Sequence, residues 1–352
     1  MLSNTCCGQG EDEVTIRVGF VPLYRIRYPS SRYRVFQFLE PLSERGFECA
    51  LIEAPQRDPW KRLAYLPRLL RLAVSQDVLY VQKRMFPLWV LGLVRRVNSR
   101  IVFDLDDATF LRPAQQRRVD ALLRAAVLVV AGNDYLADYA RRFNEQVVVI
   151  PSVVDTVLYR PPDGERHPGD DRIVVGWIGS DPNRGDLAPM RPVFDGLHER
   201  YGERVMLRTI GRRPLEIETA LKVEFVPWTL ESSRPALRQF DIGIMPLDDT
   251  AWNRGKCGFK LIQYMAVGAA AVASPVGVNR QIVREGQTGY LATTAEEWLG
   301  RLNCLIEDEA LRVRMGRAAR ERVEQVYSVK AVLPHLVKVL EQARAMRWGE
   351  TV

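Results

Sequence analysis

The sequence predicts an α/β protein of two domains, each built on a parallel, doubly wound sheet. Short apolar runs of strand length alternate with helical patterns of about 10 to 15 residues, as in sheets whose parallel strands are joined by helices. The alternation stops at PPDGERHPGDD (161–171), which is rich in proline, glycine and charge, and then restarts. A chain of 352 residues is also long enough for two domains of ordinary size.

The first domain is predicted over 13–160, after a flexible polar tail at 1–12. Its opening strand, VTIRVGFV, is followed by a polar loop and a helix, an arrangement that places ligand contacts beyond the C-terminal end of the strand. The other runs follow the same apolar periodicities. The predicted strands are 14–21, 48–52, 77–82, 101–105, 127–131 and 146–150, and the predicted helices are 35–45, 59–74, 113–126 and 135–143.

A linker at 161–172 leads to a second domain predicted over 173–328, where the alternation returns. The last segment, 329–352, carries a helical pattern that we expect to cross back to the first domain. The predicted strands are 173–178, 205–209, 223–226, 242–245 and 270–273, and the predicted helices are 189–201, 215–221, 235–240, a short helix from 259, and helices from 298 onward.

The composition is that of a folded globular protein. A net charge of +7 suggests anionic partners, such as phosphorylated ligands, nucleic acid or an anionic membrane surface, and the alternative is a mildly basic surface of the kind common in proteins that bind none of these. Zinc-finger spacings and aromatic RNA-binding motifs are missing, so we expect no nucleic-acid partner. No apolar run reaches the length of a membrane span, and the first residues are too polar for a secretory leader. The five cysteines fit no metal-ligand spacing and indicate a reducing cytoplasm.

A cationic segment opens the short helix of the second domain. Arg254, Lys256 and Lys260 lie within WNRGKCGFK, where backbone N–H groups and the positive end of a helix dipole favour phosphate. Gly179 and Ser180 form a turn after the first strand of the same domain, where glycine lets the backbone approach a phosphate. Parallel strands bring both junctions to one edge of the sheet. The segment predicts a phosphate site, and a solvated charged turn is the alternative.

The loop after the first strand of the chain alternates arginine with tyrosine. Lys83 follows a later strand of the same predicted sheet, so these side chains and Lys83 line one edge if the topology is right. They suit an acceptor that carries phosphate or other acidic groups, and single-stranded nucleic acid or plain solvent exposure are the alternatives. The loop residues are Tyr24, Arg25, Arg27, Tyr28, Arg32, Tyr33 and Arg34.

Several motifs together resemble the donor half of glycosyltransferase family four, which has the GT-B fold of two Rossmann-like domains facing each other across a cleft. The first half matches more loosely, through Asn133 and the turn PSVVD (151–155), and the resemblance covers nearly the whole chain. The motifs are GWIGS (176–180), FVPW (225–228), DIGIMPL (241–247), GKCGFKLIQYMAVGAAAVASPVGVN (255–279) and GQTGYL (286–291).

The resemblance implies a retaining transfer, independent of metal, from a nucleotide diphosphate sugar to a hydroxyl acceptor. Lys256 and Lys260 would neutralise the leaving diphosphate as catalytic cations, and UDP is the nucleotide by family habit. The remaining donor contacts would come from Gly179, Ser180, Trp228, Arg254 and Gln263.

Two family carboxylates are missing from the donor half. Gln263 stands where relatives have glutamate in "Glu-Tyr-Met-Ala", and the earlier glutamate of the family's pair falls near Gly255 and Lys256. An amide can still donate and accept hydrogen bonds at a ribose or sugar hydroxyl. The loss leaves recognition of the transferred sugar open.

An acidic cluster, Asp104-Leu105-Asp106-Asp107, ends a strand of the first domain. Clustered carboxylates suit a hard cation, but this cluster lies in the other domain from the phosphate candidates, so no metal is expected. Relatives often have a His-Asp pair here, which gives Asp106 a catalytic role and Asp107 a place beside the acceptor. Helix N-capping is the alternative for Asp106. With Arg32, Arg34 and Lys83, Asp107 completes the predicted acceptor contacts.

The leading prediction is a glycosyltransferase of glycan, polysaccharide or glycolipid biosynthesis. Its acceptor would be a sugar, a glycolipid or a polysaccharide. The alternatives are a nucleotide-sugar epimerase and a non-catalytic polyanion- or sugar-binding protein on the same scaffold. The basic helix at 59–74 could lie on an anionic membrane, so a cytoplasmic protein with peripheral contact at the inner face of the membrane is one prediction, and packing of that helix on the sheet is the other.

Overall fold

The computed structural model describes residues 15–53, 55, 59–164, 171–214 and 216–346. It confirms the predicted α/β class, with two six-stranded sheets whose strand pairs are all parallel. The predicted tail at 1–12 and the centre of the predicted linker, 165–170, lie outside the described residues.

The sheet of the first domain has the strand order β2-β1-β3-β4-β5-β6. Its central strands β3, β4 and β5 are buried along their whole length, as expected where helices cover both faces of a parallel sheet. The strands are β1 (Ile16–Pro22), β2 (Phe47–Leu51), β3 (Val78–Gln82), β4 (Ile101–Leu105), β5 (Leu128–Ala131) and β6 (Val147–Val149). The helices are α1 (Pro29–Arg34), α2 (Leu39–Ser43), α3 (Pro59–Ser75), α4 (Leu88–Val97), α5 (Pro113–Ala125) and α6 (Asp134–Arg141).

Two helical regions of this domain differ from the prediction. The helix predicted at 35–45 is confirmed over 36–43, as a 3-10 helix (Phe36–Phe38) that continues into α2, while the additional helix α1 precedes it and is separated from it by the non-helical backbone at Val35. Helix α4 has no counterpart among the predicted elements. It buries Val90, Leu91 and Val94 and packs between α3 and α5.

The sheet of the second domain has the order β12-β11-β10-β7-β8-β9. Its strands are β7 (Ile173–Ile178), β8 (Val205–Gly211), β9 (Lys222–Pro227), β10 (Ile242–Met245), β11 (Ala270–Ala273) and β12 (Gly289–Leu291). The helices that follow in the chain are α7 (Arg191–Tyr201), α8 (Ser233–Arg238), α9 (Ala251–Arg254), α10 (Phe259–Ala266), α11 (Asn279–Ile282), α12 (Ala295–Glu307), α13 (Glu309–Val326) and α14 (Val329–Ala345).

The helix predicted at 215–221 is wrong, because 216–221 contains no helix. The Asp195 carboxylate accepts hydrogen bonds from the Thr219 hydroxyl at 2.7 Å and from the Ala220 N–H at 3.2 Å. Side-chain bonds to backbone groups compete with helix formation. The two hydrogen bonds from Thr219 and Ala220 keep this segment in an irregular conformation before β9.

The chain passes twice between the domains, and the two passages lie side by side. The N–H of Val154, after β6, donates to the Tyr327 carbonyl at 3.0 Å, and the N–H of Val329 donates to the Val154 carbonyl at 3.1 Å. Helix α14 then packs against α2, β1, β3 and β4 of the first domain, where Leu336 and Leu340 are buried. The first passage therefore leaves the first domain after β6, and the second returns to it through α14.

A buried ion pair crosses the interior of the first domain. The Arg34 guanidinium donates through Nε to Asp104 Oδ2 at 3.0 Å and through Nη1 to the Ile150 carbonyl at 2.7 Å. Arg34 is 4% exposed and Asp104 is fully buried. Removing one partner of such a pair leaves the other charge uncompensated in the interior.

We expect Arg34→Met to lower the free energy of unfolding of the first domain by about 3–5 kcal/mol. The matched control is Arg17→Met, which breaks the exposed pair with Asp77 (Nη2 to Oδ1, 3.1 Å) and should cost less than about 1 kcal/mol. Urea unfolding at neutral pH, followed by circular dichroism, measures both. Equal, small losses in the two variants would contradict a structural role for the Arg34 pair.

Candidate functional site

A cleft of about 810 Å³ runs between the two domains. Its first wall comes from the residues that follow β1, β3 and β4, and its second wall from those that follow β7 and β10. Ligands of parallel α/β sheets bind beyond the carboxyl ends of the strands. The loops that follow the carboxyl ends of the strands in both sheets, where ligands of such folds bind, therefore meet at the cleft.

Two lysines of the second domain, with side chains 15% and 12% exposed, share one carboxylate in this cleft. Asp186 Oδ2 lies 3.4 Å from Lys256 Nζ and 3.3 Å from Lys260 Nζ. The ammonium group of Lys260 also lies 4.5 Å from the centre of the Trp177 ring. Burial lowers the pKa of Lys260 to about 8, with Asp186 opposing the shift and Lys256 adding to it. The crevice therefore holds more positive than negative charge, which suits a phosphorylated ligand.

The backbone between α9 and α10 fixes the position of both lysines. Gly258 caps α10 in the left-handed region, at φ +64°, and puts Lys260 in the first turn of the helix. Only glycine adopts this conformation readily. Helix α10 is held in turn by Tyr264, whose hydroxyl accepts a hydrogen bond of 3.1 Å from the Ile178 N–H.

The first domain holds the same loop from the other side of the cleft. The Asn133 amide donates to the carbonyls of Gly255 at 3.2 Å and Lys256 at 3.1 Å, while its carbonyl oxygen caps α6. The buried Cys257 thiol lies 3.2 Å from the Asp106 carbonyl. The segment that carries Lys256 is therefore tied to both domains.

The turn at Gly179 and Ser180 lines the cleft, where the sequence predicts it. The Gly179 N–H donates to the Ile210 carbonyl at 3.0 Å, so this one N–H is engaged by β8 and is not available to a phosphate. A Cβ on Gly179 would overlap the Trp177 ring, which explains the glycine by close packing. Ser180 lines the cleft, exposed, and its hydroxyl accepts from the Asn183 amide at 3.1 Å.

Arg254 departs from the expected donor site. Its guanidinium pairs with Asp249, at 2.6 Å from Nε to Oδ1, and half of the side chain is exposed. Arg254 is not among the residues that line the cleft. The acidic partner five residues earlier in the chain draws the guanidinium away from the two lysines.

Aromatic and amide groups join the two walls of the cleft. The Arg32 guanidinium lies 5.4 Å from the centre of the Trp228 ring and donates to the Tyr33 hydroxyl at 2.9 Å. The Tyr33 hydroxyl is hydrogen-bonded to that of Tyr159, which accepts from Gln263 Nε2 at 3.3 Å. Arg32, Trp228 and Gln263 all line the cleft, as predicted from the sequence.

Lys83 pairs with the acidic wall of the first domain, and its backbone is in the left-handed region at φ +53°. Its ammonium group lies 3.2 Å from Asp106 Oδ1 and also pairs with Asp107, while Ser30 donates to Asp106 Oδ2. Burial raises the pKa of Asp106, but Lys83, Arg34 and Ser30 outweigh it and hold this pKa below its usual value. Burial keeps the pKa of Asp107 above its usual value despite Lys83.

Two predicted acceptor cations are therefore already paired. Lys83 faces Asp106 and Asp107, and Arg34, which also lines the cleft, is bound to the buried Asp104. Arg32 is the predicted acceptor cation that reaches the cleft without a carboxylate partner among the described residues. Within the described part of the chain no three His, Cys, Asp or Glu side chains could together hold a metal ion.

Sequence reasoning missed three residues of the site: Asp186, Tyr159 and Cys257. Asp186 lies in the 3-10 helix Asp181–Met190, with no local pattern that points to the lysines 70 and 74 residues later. Cys257 lies inside the cationic motif, but the sequence alone indicates no role for it at the cleft. Its place beside Asp106 follows from the approach of the domains.

Comparisons with known proteins agree with this geometry. Residues 172–308, most of the second domain, match the family model of Glycosyl transferases group 1. No curated protein matches the chain. The structure is similar to sucrose-phosphate synthase from Thermosynechococcus elongatus, with a TM-score of 0.71 and 15% identity over 94% of this chain and 99% of the other.

Two further solved structures are similar over almost their full lengths. HepE from Anabaena, in complex with UDP and glucose, has a TM-score of 0.67 and 14% identity over 93% of this chain and 100% of the other. WaaG, a glycosyltransferase involved in lipopolysaccharide biosynthesis, has a TM-score of 0.67 and 13% identity over 95% and 100%. At these identities the likeness shows the fold, which is the GT-B fold predicted from the sequence.

Lys260 should destabilise the unliganded protein at neutral pH. The native lysine loses its proton near pH 8, whereas an unfolded lysine titrates near about 10.4. Between these values the unfolded chain binds more protons, so stability rises with pH across that window. We expect Lys260→Met to be more stable than the parent at pH 7, by about 1–3 kcal/mol, and this advantage to shrink by pH 10.

Thermal unfolding at pH 7 and pH 10 measures the effect. The control is Lys330→Met, which removes an exposed lysine at the start of α14 and should change stability little at either pH. A Lys260→Met variant less stable than the parent at pH 7 would contradict the costly burial of this charge.

Proposed function

We propose that the protein is a glycosyltransferase that moves a sugar from a nucleotide diphosphate donor to a hydroxyl acceptor. The observation that carries the proposal is the pair of partly buried lysines, Lys256 and Lys260, which line the cleft together with the Asp106–Lys83–Asp107 cluster. The family match of the second domain and the GT-B fold support the same function.

The chemistry of transfer needs positive charge where the lysines lie. When the bond between the anomeric carbon and the diphosphate oxygen breaks, its electron pair stays on the leaving phosphate, and fixed cations stabilise this transition state. Lys256 and Lys260 supply that charge without a metal ion, with Asp186 giving way to the diphosphate. Retention of the anomeric configuration, as in the family that the motifs resemble, is part of the proposal.

The donor contacts follow from the same wall. UDP is the proposed nucleotide, because HepE was solved with UDP and glucose and with UDP-glucose. Trp228 offers a ring face for the base, and Gln263 offers an amide to a ribose or sugar hydroxyl. Ser180 lies exposed on the same side of the cleft.

The acceptor faces the first domain in this proposal. Asp106 is held ionised by Lys83 and can accept a hydrogen bond from the attacking hydroxyl, with Asp107 and Arg32 beside it at the cleft. Such an interaction orients the nucleophile and draws on its proton as the new bond forms. Sugars, glycolipids and polysaccharides all present hydroxyls of this kind, and the pathway would be one of glycan, polysaccharide or glycolipid synthesis.

A nucleotide should stabilise the protein through Lys260. We expect UDP at a hundred times its dissociation constant to raise the stability by about 2.7 kcal/mol, seen as a thermal shift, with smaller shifts for GDP, ADP and dTDP. Lys260→Met should abolish the shift and lower transfer by about 10²-fold or more. Arg254→Met is the matched control, because Arg254 lies outside the cleft, and should change neither.

The outcomes separate the alternatives. Epimerisation of the sugar nucleotide without an acceptor would favour an epimerase on this scaffold. No shift with any nucleotide, together with salt-sensitive binding of heparin, would contradict the proposal and favour a polyanion-binding protein.

One face of the first domain also supports peripheral contact with an anionic membrane. Helices α3, α4 and α5 pack in succession, and apart from Arg118, which lines the cleft, their sequences contain eight basic residues and one acidic residue. Next to them Leu88 is 50% and Trp89 is 62% exposed at the start of α4. Basic residues attract anionic lipid, and tryptophan favours the membrane interface. In the described chain no helix is both long and apolar enough to span a membrane.

We expect the protein to sediment with vesicles of phosphatidylcholine and phosphatidylglycerol but not with phosphatidylcholine alone. Leu88→Ser with Trp89→Ser should lower the vesicle-bound fraction by about fivefold or more, since burial of these side chains in the interface is lost. Val157→Ser, at a residue 76% exposed in the segment between the domains, is the control and should bind as the parent does. Equal binding of all three proteins would contradict the membrane contact.

A further inference from the structure

The first-domain side of the cleft contains polar groups that the proposed transfer does not use. They lie in the 3-10 helix Thr109–Leu111 and at the beginning of α5, directly after the Asp106–Asp107 pair. Four residues of this region line the cleft: Thr109, Arg112, Gln115 and Arg118.

Arg112 and Arg118 are exposed cations that form no ion pair with any carboxylate of the described residues. Lys83, Lys256 and Lys260 in the same cleft each face an aspartate. The Arg112 guanidinium instead lies 4.5 Å from the centre of the Trp252 ring of α9, across the cleft. This stacking holds the cation at the entrance and leaves its N–H donors free for an anion.

Two buried polar atoms beside these cations lack a hydrogen-bond partner among the described residues. Thr109 is 3% exposed, and its hydroxyl is unpaired, as is Gln115 Oε1. The Thr109 N–H donates to the Asp107 carbonyl at 2.7 Å, and the Phe110 ring stacks on Tyr139 with ring centres 3.6 Å apart. The backbone is therefore fixed, and the hydroxyl cannot leave the cleft wall. Buried polar atoms without a hydrogen-bond partner are rare in folded proteins, so these two atoms indicate a place where a ligand or water binds.

We propose that Thr109, Arg112, Gln115 and Arg118 form a subsite for an acceptor that carries an anionic group next to its hydroxyls. The class is a phosphorylated sugar or a uronic acid. The inference rests on the proposed transferase function, because it names the acceptor class of the same cleft. Arg112 and Arg118 bind the anionic group of the acceptor. Thr109 and Gln115 bind its hydroxyls, and the reacting hydroxyl points towards Asp106.

The polarity of the subsite gives the acceptor its direction. The carboxylates of Asp106 and Asp107 repel an anion from the inner end of this wall, while the two arginines attract it at the outer end. A neutral hexose lacks the group that distinguishes the two ends. The anionic sugar should therefore bind more tightly and in one orientation.

Isothermal titration calorimetry, with sugar probes added to the UDP-saturated protein, tests the subsite. The probes are glucose 6-phosphate, mannose 6-phosphate and glucuronate, with glucose and mannose as neutral matches. We expect the tightest anionic probe to bind at least about tenfold more tightly than its neutral match, consistent with charge-assisted pairing to arginine. A phosphate preference over glucuronate would assign a phosphorylated acceptor, and the reverse would assign a uronic acid; both support the subsite.

Variants of one helix supply the controls. Arg112→Gln with Arg118→Gln should weaken binding of the anionic probes by at least about tenfold and leave glucose unchanged, because only the charge pairing is lost. Arg117→Gln changes a neighbouring exposed arginine of α5 that does not line the cleft, and should bind every probe as the parent does. Equal binding of anionic and neutral sugars, no binding of any anionic probe, or no effect of the double variant would overturn the proposal.

Thr109→Val gives a second, independent readout. Loss of a hydroxyl that has no partner should leave the melting temperature unchanged or higher, while binding of the sugar probes weakens severalfold. Unchanged sugar binding would remove Thr109 from the subsite. The sugar titrations repeated without UDP separate the two proposals. Binding of the anionic sugars by a protein that shows no thermal shift with any nucleotide would support the subsite and contradict the transferase function.

Discussion

The structure depends on two ammonium groups that share one carboxylate. Lys256 and Lys260 share Asp186 in a crevice where burial lowers the pKa of Lys260 to about 8. A fold keeps such a charge excess only where surrounding contacts hold it in place. Here Gly258 sets the start of α10, and Tyr264 ties the helix to β7. The crevice is therefore preorganised for an anion, and a diphosphate has the charge and size to match it.

The same loop couples the donor crevice to the other domain. Asn133 of the first domain holds the carbonyls of Gly255 and Lys256, and Cys257 lies against Asp106. A relative movement of the domains would therefore move Lys256 together with the acidic wall. In a transferase such coupling excludes water from the donor until both walls are in position, which limits hydrolysis. The cleft is thus one functional unit made from two sheets.

The sequence predicted the strands and helices that local patterns determine. It did not predict the contacts between residues that lie far apart in the chain. Strands 242–245 and 270–273 match the structure residue for residue, because each is a short apolar run with a completely buried environment. The two lysines reach the cleft because parallel topology dictates it. The pairs Arg34–Asp104 and Lys260–Asp186 join residues 70 and 74 apart, and no periodicity encodes them. For the same reason the engaged N–H of Gly179 could not be foreseen.

The most direct test of the central claim is a crystal structure with UDP bound. We expect diphosphate oxygens within about 2.7–3.2 Å of the Lys256 and Lys260 ammonium groups, with the Asp186 carboxylate displaced from at least one of them. The nucleoside would lie towards Trp228. A diphosphate bound elsewhere, with both lysines still paired to Asp186, would contradict the account.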